Sequence, residues 1–266
     1  MRGVRAYRIA YDGRPFNGFQ RQPDVPTVED SLFDALRALD VFDGAKPPQY
    51  AAAGRTDAGV SAVAQTVAFD APEWLSPAAF NSELPGSVRA WASADPPEDF
   101  HATHHATERE YTYSLYAPEF DERRVRRALD LLAGEHDFHN LTPDGRGTRR
   151  TLGTGLVRNG RFLSARFRAG GFPRQLVRRA VTLVMSVGRG AAGLDRVERA
   201  LAAEPLLGPE GIGPAPADPL VLTRVSYDIS FSTDDQAAER AREVFHRKQV
   251  DRATRARVAE QIVESL

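Results

Sequence analysis

The sequence contains no cysteine and only two lysines, Lys46 and Lys248, among its 266 residues. The lack of cysteine excludes disulfides and thiolate metal sites and favours a reducing compartment, so we predict a cytoplasmic protein. No run of apolar residues approaches the length of about 18 that a membrane-spanning helix needs, which predicts a protein without membrane contact. The sequence also has neither a phosphate-binding P-loop motif nor a serine nucleophile elbow.

All but two of the 35 basic residues are therefore arginines, although the formal net charge is only −1. This net charge argues against a strongly basic nucleic-acid-binding protein, whereas the planar guanidinium of arginine suits phosphates and stacks on bases. Codon usage in a GC-rich genome is an alternative cause of the arginine excess. The arginines form local clusters at Arg123, Arg124, Arg126 and Arg127; at Arg146, Arg149 and Arg150; and at Arg174, Arg178 and Arg179.

The hydrophobic periodicity predicts an α+β fold of two halves, each with a mostly antiparallel sheet flanked by helices. We predict strands over residues 4–11, 63–69, 88–94, 110–116, 154–157, 161–167 and 220–231. We predict helices over residues 28–39, 121–132 and 172–187, with one or two amphipathic helices over 233–266. The order of these elements predicts an N-terminal domain over 1–105, a C-terminal domain over 106–232, and a charged helical tail, 233–266, packed on the C-terminal domain.

The stretch AAAGRTDAGVSAVAQ, residues 51–65, places an acid, Asp57, on a turn between Gly54 and Gly59. Glycines at these positions permit backbone angles that are closed to other residues and let a partner approach closely. An aspartate in such a turn commonly bonds only the local backbone, so turn chemistry alone accounts for the pattern. The alternative is that Asp57 is presented to a substrate, with Arg55 beside it.

Two further patterns carry candidate chemistry. Three of the six histidines, at positions 101, 104 and 105, could form a metal site, although a polar linker accounts for them as well. The apolar helix predicted over 172–187 carries Arg174, Arg178 and Thr182 at a spacing of four, which predicts one polar stripe. An arginine buried on such a helix needs a carboxylate or a phosphate as its partner.

Seven groups of short motifs occur in a fixed order from Tyr7 to Tyr227. They are Ile9-Ala10-Tyr11-Asp12-Gly13 with Gly18-Phe19-Gln20-Arg21-Gln22 and Thr27-Val28-Glu29; Gly54-Arg55-Thr56-Asp57-Ala58-Gly59-Val60; Asn81 with Leu84-Pro85; Phe100-His101-Ala102 with Arg109-Glu110-Tyr111-Thr112-Tyr113; Gly134-Glu135-His136-Asp137-Phe138; Leu176-Val177-Arg178; and Leu220-Val221-Leu222 with Val225 and Tyr227. Together they resemble the motifs of the tRNA pseudouridine synthase A family. The sequence departs from the family pattern at Phe19, where tryptophan is usual, and at Ser61, where histidine is usual.

The resemblance implies the pseudouridine synthase fold, with an active-site cleft between the two halves, and the isomerisation of uridine to pseudouridine in tRNA without a cofactor or a metal. It implies that Asp57 is the nucleophile or proton acceptor and that Arg178 pairs with it and keeps it ionised. Tyr111, Arg55 and Leu220 are implied as substrate-binding residues. The implied substrate is the anticodon stem-loop of tRNA, at positions 38 to 40, and the implied assembly is a homodimer.

Two other functions fit the same residues. A non-catalytic RNA-binding protein would use the arginines and tyrosines without needing an acid at position 57. A metal-dependent hydrolase would use the histidines of residues 101–105 and would lose activity in the presence of a chelator.

Overall fold

The structure, a computed structural model, describes residues 2–266. Its helices are α1 (Val28–Ala38), α2 (Pro77–Phe80), α3 (Glu122–Leu132), α4 (Leu176–Gly188), α5 (Asp195–Leu201) and α6 (Asp235–Ser265). Its strands are β1 (Arg2–Tyr11), β2 (Ala51–Ala52), β3 (Ser61–Pro72), β4 (Val88–Ala94), β5 (Glu108–Tyr116), β6 (Gly134–Asp137), β7 (Arg149–Asn159), β8 (Phe162–Ala169), β9 (Leu220–Ser226) and β10 (Ser232–Thr233).

The strands form one ten-stranded sheet with the order β10-β4-β1-β3-β9-β5-β8-β7-β6, and β2 pairs with β3. Among the named strands of residues 2–266, only β3 and β9 run parallel, and the other pairs are antiparallel. The predicted α+β fold with mostly antiparallel pairing is confirmed. The two halves nevertheless share a single sheet, because β9, which comes late in the chain, lies between β3 of the first half and β5 of the second.

Two large apolar clusters lie along this sheet. The first half buries Tyr7, Ile9 and Phe69 of β1 and β3 against α1 and α2. The second half packs β5 and β8 against α3 and α4 around Phe138 and Phe167. Tyr111 on β5 packs against both clusters, which places it where the two halves meet.

Helix α4 begins at Leu176, four residues later than the periodicity predicts. Gln175 has a left-handed backbone with φ of 62°, and the proline at position 173 precedes it, so residues 172–175 lie outside the helix. Arg174 therefore does not belong to the polar stripe of the helix. Its backbone N–H donates to Asp144 Oδ2 at 2.7 Å instead.

Strand β9 ends at Ser226, whereas the prediction extends it to residue 231. The chain leaves the sheet at Tyr227, whose hydroxyl donates to the carbonyl oxygen of Ala102 at 2.7 Å. The next residues of the chain reach one edge of the sheet, where β10 pairs with β4.

The prediction that the tail packs on the C-terminal domain is wrong for most of its length. The tail is one long helix, α6, and it starts against β4 and α2 of the first half because β10 adds to the edge of β4. Asp234 caps the helix, and its Oδ2 accepts from the N–H of Ala78 in α2 at 3.1 Å. An ion pair to the second half occurs near the end of the helix, where Glu260 lies 3.4 Å from Arg161. In residues 2–266, no helix combines the length and apolar character needed to cross a membrane.

Candidate active site

Asp57 lies on a turn whose backbone is hydrogen-bonded within the turn and to the loop between β1 and α1. Gly59 has φ of 83°, a conformation that favours glycine, and it lets the N–H of Val60 donate back to the carbonyl of Asp57 at 3.1 Å. The carbonyl of Thr56 accepts from the N–H of Phe19 at 3.1 Å. The turn is therefore fixed by backbone bonds, and the side chain of Asp57 is left for other partners.

Buried polar side chains support the same turn. The hydroxyl of Tyr11 lies 2.8 Å from Oγ1 of Thr56, and burial raises the pKa of Tyr11, so this hydroxyl stays protonated. Gln65 Nε2 donates to the carbonyl of Gly54 at 2.8 Å. Gly54 itself has no positive φ, so the expectation of an unusual backbone holds for Gly59 and not for Gly54.

Gly13, two residues after the end of β1, lies close to the backbone of Gly59 and Val60. A Cβ at position 13 would overlap the carbonyl of Val60, so only glycine fits there. The N–H of Gly13 donates to Oγ of Ser61 at 3.0 Å. The serine that departs from the family pattern therefore joins the end of β1 to the residue that follows the turn.

The carboxylate of Asp57 pairs with Arg178 of α4, although 121 residues separate them in the chain. Arg178 Nη1 donates to Asp57 Oδ2 at 2.8 Å, and Arg178 Nε donates to the carbonyl of Ala215 at 2.7 Å. The carbonyl of Arg178 in turn accepts from the N–H of Ala215 at 3.0 Å. The Asp57 side chain is 30% exposed and that of Arg178 16%, so the pair is shielded from water but remains accessible to a substrate.

A cleft of about 1440 Å³ opens over this ion pair. Asp57, Arg178, Tyr111, Arg55 and Leu220 all line it, so the structure brings the five predicted site residues together. Small-molecule pockets commonly have volumes of about 300–1,000 Å³, and this cleft is larger. The space fits part of a macromolecule better than a small metabolite.

Tyr111 forms part of the cleft wall where the two halves meet. Its ring packs edge-on against Phe172, with the ring centroids 5.2 Å apart. Burial raises the pKa of Tyr111 to about 12, and the nearby charge of Asp57 also raises it. The hydroxyl is therefore neutral and able to donate a hydrogen bond at physiological pH.

Arg55 and Leu220 differ in how they line the cleft. Arg55 is exposed, and within residues 2–266 it makes no hydrogen bond or ion pair, so its guanidinium is free for a ligand. Leu220 is almost fully buried at the start of β9 and belongs to the core of the second half. It offers the cleft an apolar surface rather than a mobile contact.

Arg109 is a buried residue whose role the motifs alone do not reveal. Its guanidinium donates to the carbonyls of Ala53 at 2.6 Å, Thr103 at 2.8 Å and Gly170. It thereby ties the segment before the Asp57 turn to the linker between the halves and to the end of β8. The sequence signal is its register, since Arg109 lies two residues before Tyr111 and so shares a face of β5 with it.

The histidines of residues 101–105 lie beside the cleft, and His101 lines it. Nδ1 of His101 accepts from the N–H of Thr103, and Nδ1 of His105 accepts from the N–H of His101, both at 3.2 Å. Burial and the charges of His104, His105 and Lys46 lower the pKa of His101. In the part of the chain that the structure describes, no group of three or more acidic, histidine or cysteine side chains could hold a metal ion.

The arginine clusters are distributed unequally around the cleft. Of the clustered arginines, Arg174 and Arg178 line it. Those of α3 lie on an exposed helix face, where Arg126 pairs with Glu122 at 2.9 Å. Arg179 Nη1 donates a hydrogen bond to the carbonyl of Ile212 at 2.7 Å. Any contact between the α3 arginines and a nucleic acid must therefore lie outside the cleft.

Comparisons with known proteins show the family to which this chain belongs. A family model described as tRNA pseudouridine synthase matches residues 128–228. The chain is 57% identical to "tRNA pseudouridine synthase A" of Haloarcula marismortui, with 99% of this chain and 100% of that protein covered. It is 57% identical to the protein of the same name of Halobacterium salinarum, covering 96% of this chain and 97% of that protein. It is 38% identical to that of Methanosarcina acetivorans, covering 97% and 98%. At this identity over nearly the whole length, the chain belongs to the tRNA pseudouridine synthase A family.

Proposed function

We propose that this protein isomerises uridine to pseudouridine within tRNA. The observation that carries the proposal is the ion pair of Asp57 and Arg178, 2.8 Å apart, in a cleft that Tyr111 also lines. The names of the relatives and their coverage of nearly the whole chain support the choice of tRNA as the substrate. The size of the cleft supports a macromolecular substrate independently.

The reaction breaks the N1–C1′ glycosidic bond, turns the uracil, and forms a C5–C1′ bond. The proton on C5 leaves, and N1 gains one, so the atoms and electrons of substrate and product are the same. No oxidant, reductant or energy source is needed to balance the step. The protein has to supply a charged group beside the nucleoside, a pocket for the detached base, and a route for the C5 proton.

Asp57 supplies the charged group. Its carboxylate can attack C6 of the base, attack C1′ of the ribose, or remove a proton from C2′. Arg178 orients this carboxylate through a charge-assisted hydrogen bond. The bond from Arg178 to Ala215 positions the guanidinium that pairs with the carboxylate.

Tyr111 stacks on the target base and assists the transfer of the proton from C5 of the uracil. Because its pKa is about 12, it is a neutral hydroxyl at physiological pH, so it transfers a proton as a relay rather than as a phenolate base. Its edge-on contact with Phe172 holds the ring in place for stacking.

Arg55 and Leu220 bind the substrate in different ways, Arg55 through its charge and Leu220 through its apolar surface. A uridine in an RNA helix must leave the stack to reach Asp57, at a cost of a few kcal/mol. The free guanidinium of Arg55 fills the space that the nucleotide vacates or contacts a phosphate. Leu220 provides the apolar surface beside the base.

The finer parts of the proposal depend on the family resemblance. They are that the target lies in the anticodon stem-loop, at positions 38 to 40, and that the enzyme is a homodimer. The cytoplasmic location is supported by the absence of cysteine. Mapping pseudouridines in tRNA from cells with and without the protein tests the target positions, and light scattering tests the dimer.

The release of tritium from tRNA labelled at C5 of uracil tests the proposed activity, because this label leaves only when the C5–C1′ bond forms. We expect release with the wild-type protein, unchanged by a chelator. Tight tRNA binding without release would replace the proposal by the non-catalytic RNA-binding alternative. Loss of release with chelator would indicate a metal-dependent enzyme.

A further inference from the structure

Helix α6 contacts the rest of the protein through a face that changes from apolar to basic. Near its start, Ala237, Ala238 and Ala241 are buried against the first half. Two to three turns later, Lys248 and Arg252 occupy the same face of the helix. Both form ion pairs with Asp12, the residue that follows β1. The helix is therefore held there by charge rather than by apolar packing.

Asp12 is a buried carboxylate surrounded by more positive charge than it can neutralise. Its side chain is 6% exposed, and its Oδ2 lies 2.5 Å from Arg252 and 3.4 Å from Lys248. Its Oδ1 lies 3.2 Å from Arg14. Three cations meet one carboxylate, and all three remain partly exposed, so the outer side of the cluster carries a net positive charge.

Two more arginines extend this positive surface. Arg89 of β4 is fixed by bonds to the carbonyls of Leu84 at 2.7 Å and Pro85 at 2.9 Å. Arg247 is exposed on α6, directly before Lys248 in the chain. Burial lowers the pKa of Arg89, and the charge of Arg247 lowers it further. In the structure of residues 2–266, neither Arg89 nor Arg247 makes an ion pair, so their mutual repulsion is not relieved by a bonded carboxylate.

The acidic residues nearest to Arg247 on its own helix do not change this balance. Glu243 and Asp251 lie one turn before and one turn after it, and both are exposed. Asp251 instead pairs with Arg255 at 3.1 Å. The arrangement keeps a group of guanidinium and ammonium groups facing solvent, and an external anion would stabilise it.

We propose that this basic patch, formed by Arg14, Arg89, Arg247, Lys248 and Arg252, binds the phosphate backbone of the RNA substrate outside the catalytic cleft. None of the five residues lines the cleft. The patch nevertheless adjoins the catalytic turn, because Asp12 is followed by Gly13, which packs on Val60. The identity of the ligand as tRNA depends on the proposed function, whereas the phosphate chemistry depends on the patch alone.

Phosphate contacts position an RNA without reading its sequence, and they fit this surface of arginine and lysine side chains. An RNA arm seated in the cleft continues beyond it, and its charged backbone needs cations on the surrounding surface. The patch supplies them on the first half. It thereby gives α6 a part in substrate binding beyond its packing on β4.

The test replaces Arg247 by glutamine, because Arg247 is exposed and makes no bond that the fold needs. The matched control is Arg242→Gln on the same helix, whose side chain pairs with Glu239 at 2.8 Å. The two arginines are five residues apart and so point about 140° apart around the helix. Both substitutions remove one positive charge, so a difference between them reports position rather than net charge.

Equilibrium binding to unmodified tRNA is measured across a salt range in which the circular dichroism spectrum is constant. We expect Arg247→Gln to weaken binding about 3–10-fold and to reduce the slope of log K against log salt by almost one. We expect Arg242→Gln to bind within about twofold of wild type. Arg247→Glu should weaken binding further, because it repels the phosphate.

Equal affinity and equal salt slopes for wild type and Arg247→Gln would overturn the patch proposal, as would an equal loss in Arg242→Gln. Binding is measured without turnover, so the two proposals fail separately. A protein that binds tRNA through the patch and forms no pseudouridine would contradict the proposed function alone.

Discussion

Asp57 carries the proposed chemistry, and the change of one atom tests it. Asp57→Asn keeps the shape of the side chain and its place on the turn but removes the negative charge that attack or proton removal requires. We expect tritium release to fall by at least about a thousandfold, as when a catalytic nucleophile is removed. The measurement is single-turnover release at saturating tRNA.

The fold and the affinity for tRNA should hardly change in Asp57→Asn, because backbone bonds of Thr56, Gly59 and Val60 hold the turn. Asp34→Asn is the control, since it removes an equivalent charge from an exposed pair with Arg37. A normal rate in Asp57→Asn would exclude the carboxylate from the reaction. An equal loss of rate in the control would show that the assay reports net charge instead.

At the scale of single residues, the sequence predicts those features that depend on neighbouring residues in the chain. Asp57 is recognisable because the glycine-bracketed turn and the acid are consecutive in the chain. Its pairing with Arg178, 121 residues away, follows only from the resemblance, because the periodicity of α4 shows that an arginine is buried but not which carboxylate it meets. Arg109 is harder still, since its partners are three backbone carbonyls, which leave no mark on the sequence.

At the scale of elements, the catalytic turn depends on close contact with the end of β1. Gly13 lies against the carbonyl of Val60, so Gly13→Ala has to push the strand and the turn apart. We expect a loss of about 1–3 kcal/mol of stability, the usual cost of overpacking, and a tenfold or greater loss of rate, the latter an order-of-magnitude expectation. Thermal unfolding and single-turnover release measure the two effects.

Gly3→Ala is the matched control on the same strand. A Cβ at position 3 would meet no atom within 4 Å, so this substitution should leave both stability and rate close to wild type. If Gly13→Ala behaves like Gly3→Ala, the contact between β1 and the turn does not position Asp57. Loss of stability without loss of rate would also separate the contact from catalysis.

The elements themselves were largely predictable, because strands β4 and β5 alternate and helix α1 begins at a clear cap, Thr27. The start of α4 was not, since the left-handed Gln175 lies within an apolar run that has helical periodicity. The position of α6 was not predictable either. Its period identifies the face that is buried, but its partner Asp12 lies 240 residues before Arg252.

At the scale of the whole molecule, the buried tyrosines and the small number of lysines determine how stability changes at alkaline pH. Burial raises the pKa of six of the seven tyrosines, Tyr7, Tyr11, Tyr50, Tyr111, Tyr113 and Tyr227. The sequence contains only two lysines, the other residue type whose ordinary side-chain pKa is close to that of tyrosine. The alkaline behaviour of the fold is therefore set mainly by its tyrosines.

The sign of the effect follows from proton linkage. Below about pH 10, the tyrosines are neutral in both the folded and the unfolded chain and contribute no pH dependence. Above it, the unfolded chain releases protons that the folded chain keeps, so the free energy of unfolding falls as the pH rises. Each such tyrosine contributes a slope of about 1.4 kcal/mol per pH unit until its folded form also ionises.

We therefore expect the urea midpoint to fall steeply above about pH 10, and Tyr7→Phe to make that fall less steep. Tyr7 is fully buried, with its hydroxyl donating to the carbonyl of Leu75 at 2.8 Å. The matched control is Tyr116→Phe, because Tyr116 is 55% exposed. Tyr7→Phe lowers stability at every pH by leaving that carbonyl unpaired, so the readout is the slope and not the midpoint. A slope as steep in Tyr7→Phe as in Tyr116→Phe would mean that the buried tyrosines do not control alkaline unfolding.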